Sequence, residues 1–459
     1  MSKYPGAKQL ELIPRSRNPL VVVDRNHRLV RLCESLDWLE LEATAQEIRE
    51  GKLKNRAGRR PNLRVNLGAV VFMSVNRVTY REAEDQIRHY APARYLCGLA
   101  DSFKTPDFTT INDFMHLMGA EGLARLNEMV VRMAVEAGLG DPGVLVADTT
   151  AQEATMSYPT EVGLLGSFFR SVQKLGGRTG GKVKAALRDL RSVVNRGTKS
   201  IRTHRFFAKG KEERLKHTTT AMGAAKLVVK GLTEACRNTS AKRLQGGAKA
   251  ARKKLEDLLG TMGSLLPQID YWLENGYVAK NKIVNLFMPL VRSIPRGKVG
   301  KDVEFGIKWG TQRIGGGFIL GTADAARGNF SDKLHVQEAV EHHVMTLGAI
   351  PTSFGYDRGG WSESNNAFLK EAGIHHNGMA PLGQAKWKVE GKHKEKLVKE
   401  RARIEGDIGS IKSHRYGFNR PAARSEEMMI ACGHRAMLGY NLNKLLRRQA
   451  DEAGVALIG

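Results

Sequence analysis

The alternation of apolar and polar residues predicts a mixed sheet in the second half of the chain. Apolar residues alternate with charged residues and glycine over 303–309, and an apolar run follows a turn within 315–320, so two strands are expected there. The later predicted elements are a helix over 331–345, a strand over 352–357, a helix over 362–373 and a strand over 374–379. An apolar run at 144–147 predicts a further buried strand, which ends at Asp148. Strands that alternate with helices in this way indicate an α/β fold.

The first 140 residues have the pattern of helices. Thr79 and Thr110 each precede an acidic residue by three positions, which is the spacing of a capping box at the start of a helix. The apolar segment 67–73, followed by the helix that Thr79 opens, fits a helix-turn-helix, although most such helix pairs are only packing elements. The basic run over 52–60 predicts a flexible arm or linker.

The charge of the chain indicates a polyanionic partner. Its 459 residues include 73 Lys and Arg against 47 Asp and Glu, a formal net charge of +26. Residues 161–260 hold 24 of these basic residues against 7 acidic ones, so this stretch alone carries +17. Apolar residues recur there at spacings of three, four and seven, which predicts amphipathic helices with a basic face. Nucleic acid is the expected partner because each Lys or Arg near a phosphate releases counterions; a solvated basic surface is the alternative.

The composition disfavours other classes of protein. The four cysteines stand far apart without a Cys-x-x-Cys pair, so the sequence supports neither a disulfide framework nor a thiolate zinc site. No apolar run approaches the ~18 residues that a membrane helix needs, and the amino terminus lacks a signal-peptide pattern. We therefore expect a cytoplasmic protein with no membrane partner.

Two aspartates occupy matching positions at the ends of predicted strands. Asp148 follows the run at 144–147 and Asp357 ends the strand over 352–357, and small or polar residues come after both. Ligands bind at this edge of an open α/β sheet. Either aspartate alone is more often a residue that caps the next turn, but a pair on neighbouring strands favours a role in chemistry.

A third carboxylate is indicated by the predicted helix over 394–412. At about 100° per residue, the apolar residues of this helix form one stripe that would pack on the sheet. The stripe comprises Leu397, Ile404, Ile408 and Ile411. Glu405 lies on its border together with Arg401 and Lys412, so its carboxylate would be held at the edge of the core between two cations. A surface ion pair between Arg401 and Glu405 is the alternative.

Three carboxylates that meet at a sheet edge suit two Mg²⁺ ions, since hard cations prefer oxygen ligands and bridge substrate phosphates. The motifs here resemble those of bacterial insertion-sequence DDE transposases, which have a ribonuclease-H-like core. The matching blocks are Asp148-Thr149-Thr150, Tyr356-Asp357-Arg358-Gly359-Gly360, and Arg401 with Glu405 and Lys412. The third block resembles the Tyr-Arg-Glu-Lys signature of the family, except that Val398 stands at the tyrosine position.

The resemblance implies a function and a set of site residues. It implies a Mg²⁺-dependent transposase, with Mn²⁺ able to substitute, in which Asp148, Asp357 and Glu405 ligate the metals. Arg401 and Lys412 would orient phosphates. The partners would be double-stranded DNA, at the transposon ends and in the target, and a second copy of the chain in a homodimer or larger complex. The other residues expected to contact DNA are Arg358, Trp361, Arg188, Arg191 and Lys199.

The spacing of the motifs predicts an insertion into the core. Between Asp148 and Asp357 lie 208 residues, whereas two strands, one helix and their loops need only about 50. The predicted organisation is a helical region for DNA binding or dimerisation over 1–140, a ribonuclease-H-like core over 141–160 and 296–450, and a basic helical insertion over 161–295. The resemblance implies that this insertion clamps transposon-end DNA across the active site.

Two other functions stay open on the sequence alone. A ribonuclease-H-like nuclease would use the same carboxylates to cut DNA without joining it to a target. A DNA-binding protein built on a catalytically inactive scaffold would neither cut nor join, and the intact carboxylate triad argues against it.

Overall fold

A computed structural model describes residues 23–52, 61–99, 105–241, 244–298, 301–381, 383, 387 and 389–458. Of the predicted linker over 52–60, only Lys52 falls within these ranges, as the last residue of a helix. None of the described helices combines the length and the apolar composition needed to cross a membrane.

The described residues form a six-stranded mixed sheet, so the predicted α/β fold is confirmed at that level. Its strands are β1 (Asp141–Glu153), β2 (Arg292–Lys298), β3 (Lys301–Gly315), β4 (Ile319–Ala323), β5 (Ser353–Gly355) and β6 (His376–Gly378). Their order is β2-β3-β1-β5-β6, and β4 pairs with β3. The pairs that β3 makes with β1, β2 and β4 are antiparallel, whereas β5 is parallel to both β1 and β6.

Helices cover both faces of this sheet. They are α12 (Asp332–Leu347), α13 (Glu363–Glu371), α14 (Gly391–Lys412) and α15 (Glu426–Ala453). Successive residues of a strand point to opposite faces, so the apolar strand β1 can pack on two helices at once. Leu145 and Ala147 pack with α12 and α13, whereas Val144 and Val146 pack with α14.

The amino-terminal helices share one core with the sheet. They are α1 (Arg28–Ser35), α2 (Trp38–Lys52), α3 (Leu63–Asn76), α4 (Tyr80–His89), α5 (Ala91–Leu96) and α6 (Phe108–Glu136). Their buried residues form one cluster with Phe318 and Leu320 near β4 and with Leu438 and Leu442 of α15. Gly439 of α15 lies so close to α3 that an added Cβ would come within 2.1 Å of the Ser74 carbonyl oxygen. Within the described ranges, the amino-terminal helices are therefore packed on the sheet and on α15 and share their core.

The basic insertion has a core of its own. Its helices are α7 (Glu161–Thr179), α8 (Gly181–Asp189), α9 (Arg191–Phe206), α10 (Gly210–Arg237) and α11 (Gly246–Asn275). Phe168 and Phe169 of α7, Val228 of α10 and Met262 of α11 are buried together in this core. The helices end at Asn275, and β2 joins the six-stranded sheet from Arg292, four residues before the predicted boundary at 296.

Two local predictions need correction. The second predicted capping box, at Thr110, is wrong because α6 begins at Phe108 and is capped by the side chain of Asp107, which accepts a hydrogen bond from the Thr110 amide. The box at Thr79 is confirmed. The strand expected over 315–320 begins later, at Ile319, and continues to Ala323, because Gly316 and Gly317 have φ values of 88° and 91° and form a turn before β4.

Candidate active site

The two predicted aspartates follow directly on the paired part of β1 and β5. Val146 is the last residue of β1 that pairs with β5, opposite Gly355, and each aspartate comes two residues later. Because alternate residues of a strand share a face, Asp148 points to the face of Val146, which packs on α14. A Cβ added to Gly355 would contact Val146 and Leu397 of α14, and Asp357 follows β5 as the N-cap of the short 3-10 helix Arg358–Gly360.

Helix α14 brings the third carboxylate to this edge. Ile404 and Ile408 of α14 pack on Val144 and Val146 of β1, and Glu405 is exposed beside them. The predicted apolar stripe of this helix is confirmed, since all four of its residues are buried: Leu397, Ile404, Ile408 and Ile411. The hydrophobic contact of α14 with β1 thus holds Glu405 next to the strand that carries Asp148.

The electrostatics of Asp148 reflect a cluster of like charges. Burial raises the pKa of Asp148 from an ordinary value of 3.8 to about 6. The neighbouring charges that add to this shift belong to Asp357, Asp332 and Glu405. A hydrogen bond of 2.7 Å from the Thr149 amide to Asp148 Oδ1 acts in the opposite direction. Asp357 and Glu405 therefore lie within electrostatic range of Asp148, and so does Asp332, which the sequence did not predict.

Sequence reasoning missed Asp332 because of its position in a helix. Asp332 is the first residue of α12, directly after the N-cap Ser331, where an acidic residue is ordinarily explained by the helix dipole. Its contacts lie far away in sequence: the hydroxyl of Thr149 donates a hydrogen bond to Asp332 Oδ1 at 2.8 Å, and Lys308 Nζ donates one at 2.7 Å. The only sign of Asp332 in the sequence is an acidic residue in the first turn of α12, the helix that connects β4 to β5.

The carboxylates are near one another without forming a closed metal cage. Asp357 Oδ1 accepts a hydrogen bond of 2.8 Å from the Gly359 amide and so caps the short 3-10 helix Arg358–Gly360. Within the described ranges, no group of three or more His, Cys, Asp or Glu side chains is arranged to hold a metal ion. Coordination by all three predicted carboxylates would therefore need their side chains to move closer together.

The two cations predicted beside Glu405 differ in their surroundings. Lys412 Nζ donates a hydrogen bond of 3.2 Å to the hydroxyl of Thr150 and lies 3.8 Å from Glu304 Oε2, so it stands two residues along β1 from Asp148. The guanidinium of Arg401 lies 5.9 Å from the ring centre of Trp387. Val398, at the position where the resembled family has tyrosine, is 51% exposed.

Two other acidic residues of α14 have a structural role. Glu400 and Asp407 both form ion pairs with Arg313 of β3, whose side chain is only 4% exposed. The hydroxyl of Tyr440 donates a further hydrogen bond of 2.6 Å to Asp407, which links α14 to α15. These buried pairs fix α14 on the sheet.

The remaining predicted DNA contacts lie at the surface or beside the site. The guanidinium of Arg358 donates a hydrogen bond to the carbonyl oxygen of Gly383. Trp361 is half-buried and packs against the core under α12 and α13. The three basic residues predicted in the insertion are all exposed: Arg188, Arg191 and Lys199. Arg188 and Arg191 line one shallow groove together with Lys184.

Comparison with known proteins supports a transposase role in general. Residues 19–117 match a family model described as Transposase domain (DUF772). The matched segment covers the helices α1–α5 and the start of α6, and it ends before the first of the carboxylates. No curated protein and no solved structure matches the chain.

Proposed function

We propose that this chain is a DDE-type transposase that cleaves DNA at the ends of a mobile element and joins the 3′ ends to target DNA. The observation that carries the proposal is that Asp148 of β1 lies within electrostatic range of Asp357, in the loop after β5, and of Glu405 on α14. The match of residues 19–117 to a transposase domain supports the general class independently of these carboxylates.

The arrangement of the sheet favours a ribonuclease-H-like core. The antiparallel strands β1, β3 and β4 come first, then α12, and then β5 and β6, which run parallel to β1 with α13 between them. This is the order of strands and helices predicted from the sequence. The helical insertion α7–α11 separates β1 from β2 and β3, so a basic domain is attached directly to the strand that carries Asp148.

The donor set suits a hard divalent cation. Carboxylate oxygens are the ligands that Mg²⁺ prefers, and Mg²⁺ commonly takes only one or two of them with water and substrate phosphates. Burial and, after it, the charges of Asp357, Asp332 and Glu405 raise the pKa of Asp148, and a divalent cation would stabilise the ionised carboxylate against both. Asp148, Asp357 and Glu405 would hold Mg²⁺ or Mn²⁺. When bound, the metal activates the attacking hydroxyl or water and stabilises the leaving oxygen of the phosphodiester.

The surrounding cations would position the DNA. Lys412 lies on the same face of β1 as Asp148 and would orient the phosphates next to the scissile bond, together with Arg401 of the same helix. The exposed basic faces of α8 and α9 would hold the duplex of the transposon end through its phosphates, without reading its sequence. A complex of at least two copies on paired ends is part of this proposal.

The carboxylates can be tested by amide substitution in the full chain. Asp148→Asn, Asp357→Asn and Glu405→Gln should each abolish Mg²⁺-dependent cleavage of end DNA while binding of that DNA is retained. Glu395→Gln is the matched control, because Glu395 is an exposed glutamate on the same helix. Unchanged cleavage by one of the three variants would remove that residue from the mechanism.

The same assay separates the other two functions. A nuclease that only cuts would leave pre-cleaved ends unjoined in the presence of target DNA. A DNA-binding protein without activity would bind the ends but give no nicks with Mg²⁺ or Mn²⁺. The DNA for these experiments is the sequence flanking the coding region, where inverted repeats are expected.

A further inference from the structure

Asp332 is fixed between the strand that carries Asp148 and the loop that carries Asp357. Its Oδ1 atom accepts hydrogen bonds from the hydroxyl of Thr149 at 2.8 Å and from Lys308 Nζ at 2.7 Å. Lys308 is nearly buried and also donates a hydrogen bond of 2.8 Å to the carbonyl oxygen of Phe330, so its ammonium group is held in place. One oxygen of Asp332 is thereby tied to both β1 and β3.

The second oxygen of Asp332 faces the loop of Asp357. A Cβ added to Gly359 would lie 3.1 Å from Asp332 Oδ2 and 3.0 Å from Asp357 Oδ1. Gly359 therefore stands between the two carboxylates, and its lack of a side chain lets both approach the same point. Asp332 thus contacts the residue next to Asp148 through one oxygen and borders the turn capped by Asp357 through the other.

A separate observation indicates that this place receives a ligand. The side chain of Tyr356 is only 1% exposed, and its hydroxyl has no hydrogen-bond partner among the described residues. Burial raises the pKa of Tyr356, and the next largest contributions come from Asp332, Asp148 and Asp357, so the hydroxyl lies near all three carboxylates. Leaving a buried hydroxyl unpaired costs about 1–3 kcal/mol, and such groups are usually satisfied by water or by a ligand oxygen.

We propose that Asp332 is a positioning residue of the cation site: held by Thr149 and Lys308, it fixes Asp148 relative to Asp357 and adds the negative charge that draws a divalent cation between them. The inference rests on the proposed function, because it assumes that Asp148 and Asp357 bind the cation. Residues that orient metal ligands typically change metal affinity by about 10- to 100-fold when they are replaced. The Tyr356 hydroxyl would donate a hydrogen bond to an oxygen that arrives with the cation.

The test measures the affinity of the full-length protein for Mn²⁺ in the absence of DNA. Electron paramagnetic resonance gives the concentration of the free ion at each point of the titration. Asp332→Asn keeps the size of the side chain and removes its charge, and we expect Mn²⁺ affinity to fall by about 10- to 100-fold. Glu341→Gln, an exposed acid on the same helix, is the matched control and should stay within twofold of the unmodified protein. Circular dichroism and DNA binding check that each variant is folded.

A second variant keeps the inference testable if Asp332→Asn does not fold. Thr149→Val removes one hydrogen bond to Asp332 and leaves every charge in place, so Mn²⁺ affinity should fall by about 2- to 10-fold. Unchanged Mn²⁺ affinity in folded Asp332→Asn or Thr149→Val would overturn the inference and leave the proposed function intact. If the unmodified protein binds no Mn²⁺, or binds Mn²⁺ just as well after the Asp148→Asn substitution, the proposed function fails and the inference fails with it.

Discussion

The charge cluster around Asp148 makes a prediction about stability that is independent of any DNA assay. Replacing Asp148 by asparagine should stabilise the folded protein while it abolishes cleavage. Asparagine keeps an oxygen that can accept the hydrogen bond from the Thr149 amide, and it removes the charge that burial and the neighbouring acids Asp357, Asp332 and Glu405 disfavour. Residues at functional sites often carry such a cost to stability.

The size of the effect follows from the shifted pKa. A carboxyl group with a pKa of about 6 in the folded state and 3.8 when unfolded costs the folded state roughly 3 kcal/mol at pH 7.5, where both states are ionised. The folded state holds this proton more tightly, so the cost is absent below pH 4 and grows as the pH rises through 6. At pH 5 it should be about 1.5 kcal/mol.

Urea unfolding of the full chain at pH 5 and at pH 7.5, without divalent cations, measures this difference. Asp141→Asn is the matched control: Asp141 lies at the other end of the same strand, and its exposed ion pair with Lys396 should contribute less than about 1 kcal/mol. A loss of stability in Asp148→Asn at pH 7.5, or a gain that does not depend on pH, would refute the raised pKa of Asp148, which burial causes first and the neighbouring acids second. Added Mg²⁺ should stabilise the unmodified protein and not the variant.

Three further predictions concern the rest of the molecule. Neutralising three exposed basic residues of the insertion should lower the slope of log affinity against log salt for end DNA by about 3, and an unchanged slope would make their charge an ordinary surface property. These residues are Arg188, Arg191 and Lys199. Arg313→Met should cost about 3–5 kcal/mol in denaturant unfolding, because it removes the buried cation that Glu400 and Asp407 share; a cost below 1 kcal/mol would contradict the buried network. Gly439→Ala should lower the free energy of unfolding by about 1–3 kcal/mol, because the added Cβ pushes α15 away from α3. The control Gly409→Ala, with open space around it, should raise the free energy of unfolding by about 0.5–1 kcal/mol. Equal effects of the two substitutions would refute the close packing.

The elements of the catalytic half could be predicted because their signals are local. The stripe of α14 needs only the helical period, and burial of Leu397, Ile404, Ile408 and Ile411 follows from it. The apolar run at 144–147 likewise predicts a strand from local residues alone. The observed strand β1 is much longer, Asp141–Glu153, because β3 pairs with it well beyond the apolar run. The end of a strand in a sheet depends on its neighbour, which a local pattern does not contain.

Contacts between distant segments explain what the sequence did not reveal. Asp332 meets Thr149 across 183 positions, and Glu400 meets Arg313 across 87, so neither partner could be read from helix periodicity. The burial of Glu400 beside Arg313 therefore became visible only in the folded chain. Likewise, the shared core of α3, α6 and α15 joins segments from both ends of the sequence, which the predicted boundary at residue 140 did not anticipate.

The central claim is that the carboxylates around Asp148 catalyse both cleavage and joining of DNA. Its most direct test supplies the full-length protein with a pre-cleaved end from the flanking DNA, a supercoiled target plasmid and Mg²⁺, and measures covalently joined products. We predict joined products with the unmodified protein and none with Asp148→Asn, although the variant still binds the end. Joining by Asp148→Asn at the unmodified rate, or no joining by the unmodified protein with either Mg²⁺ or Mn²⁺, would contradict the account.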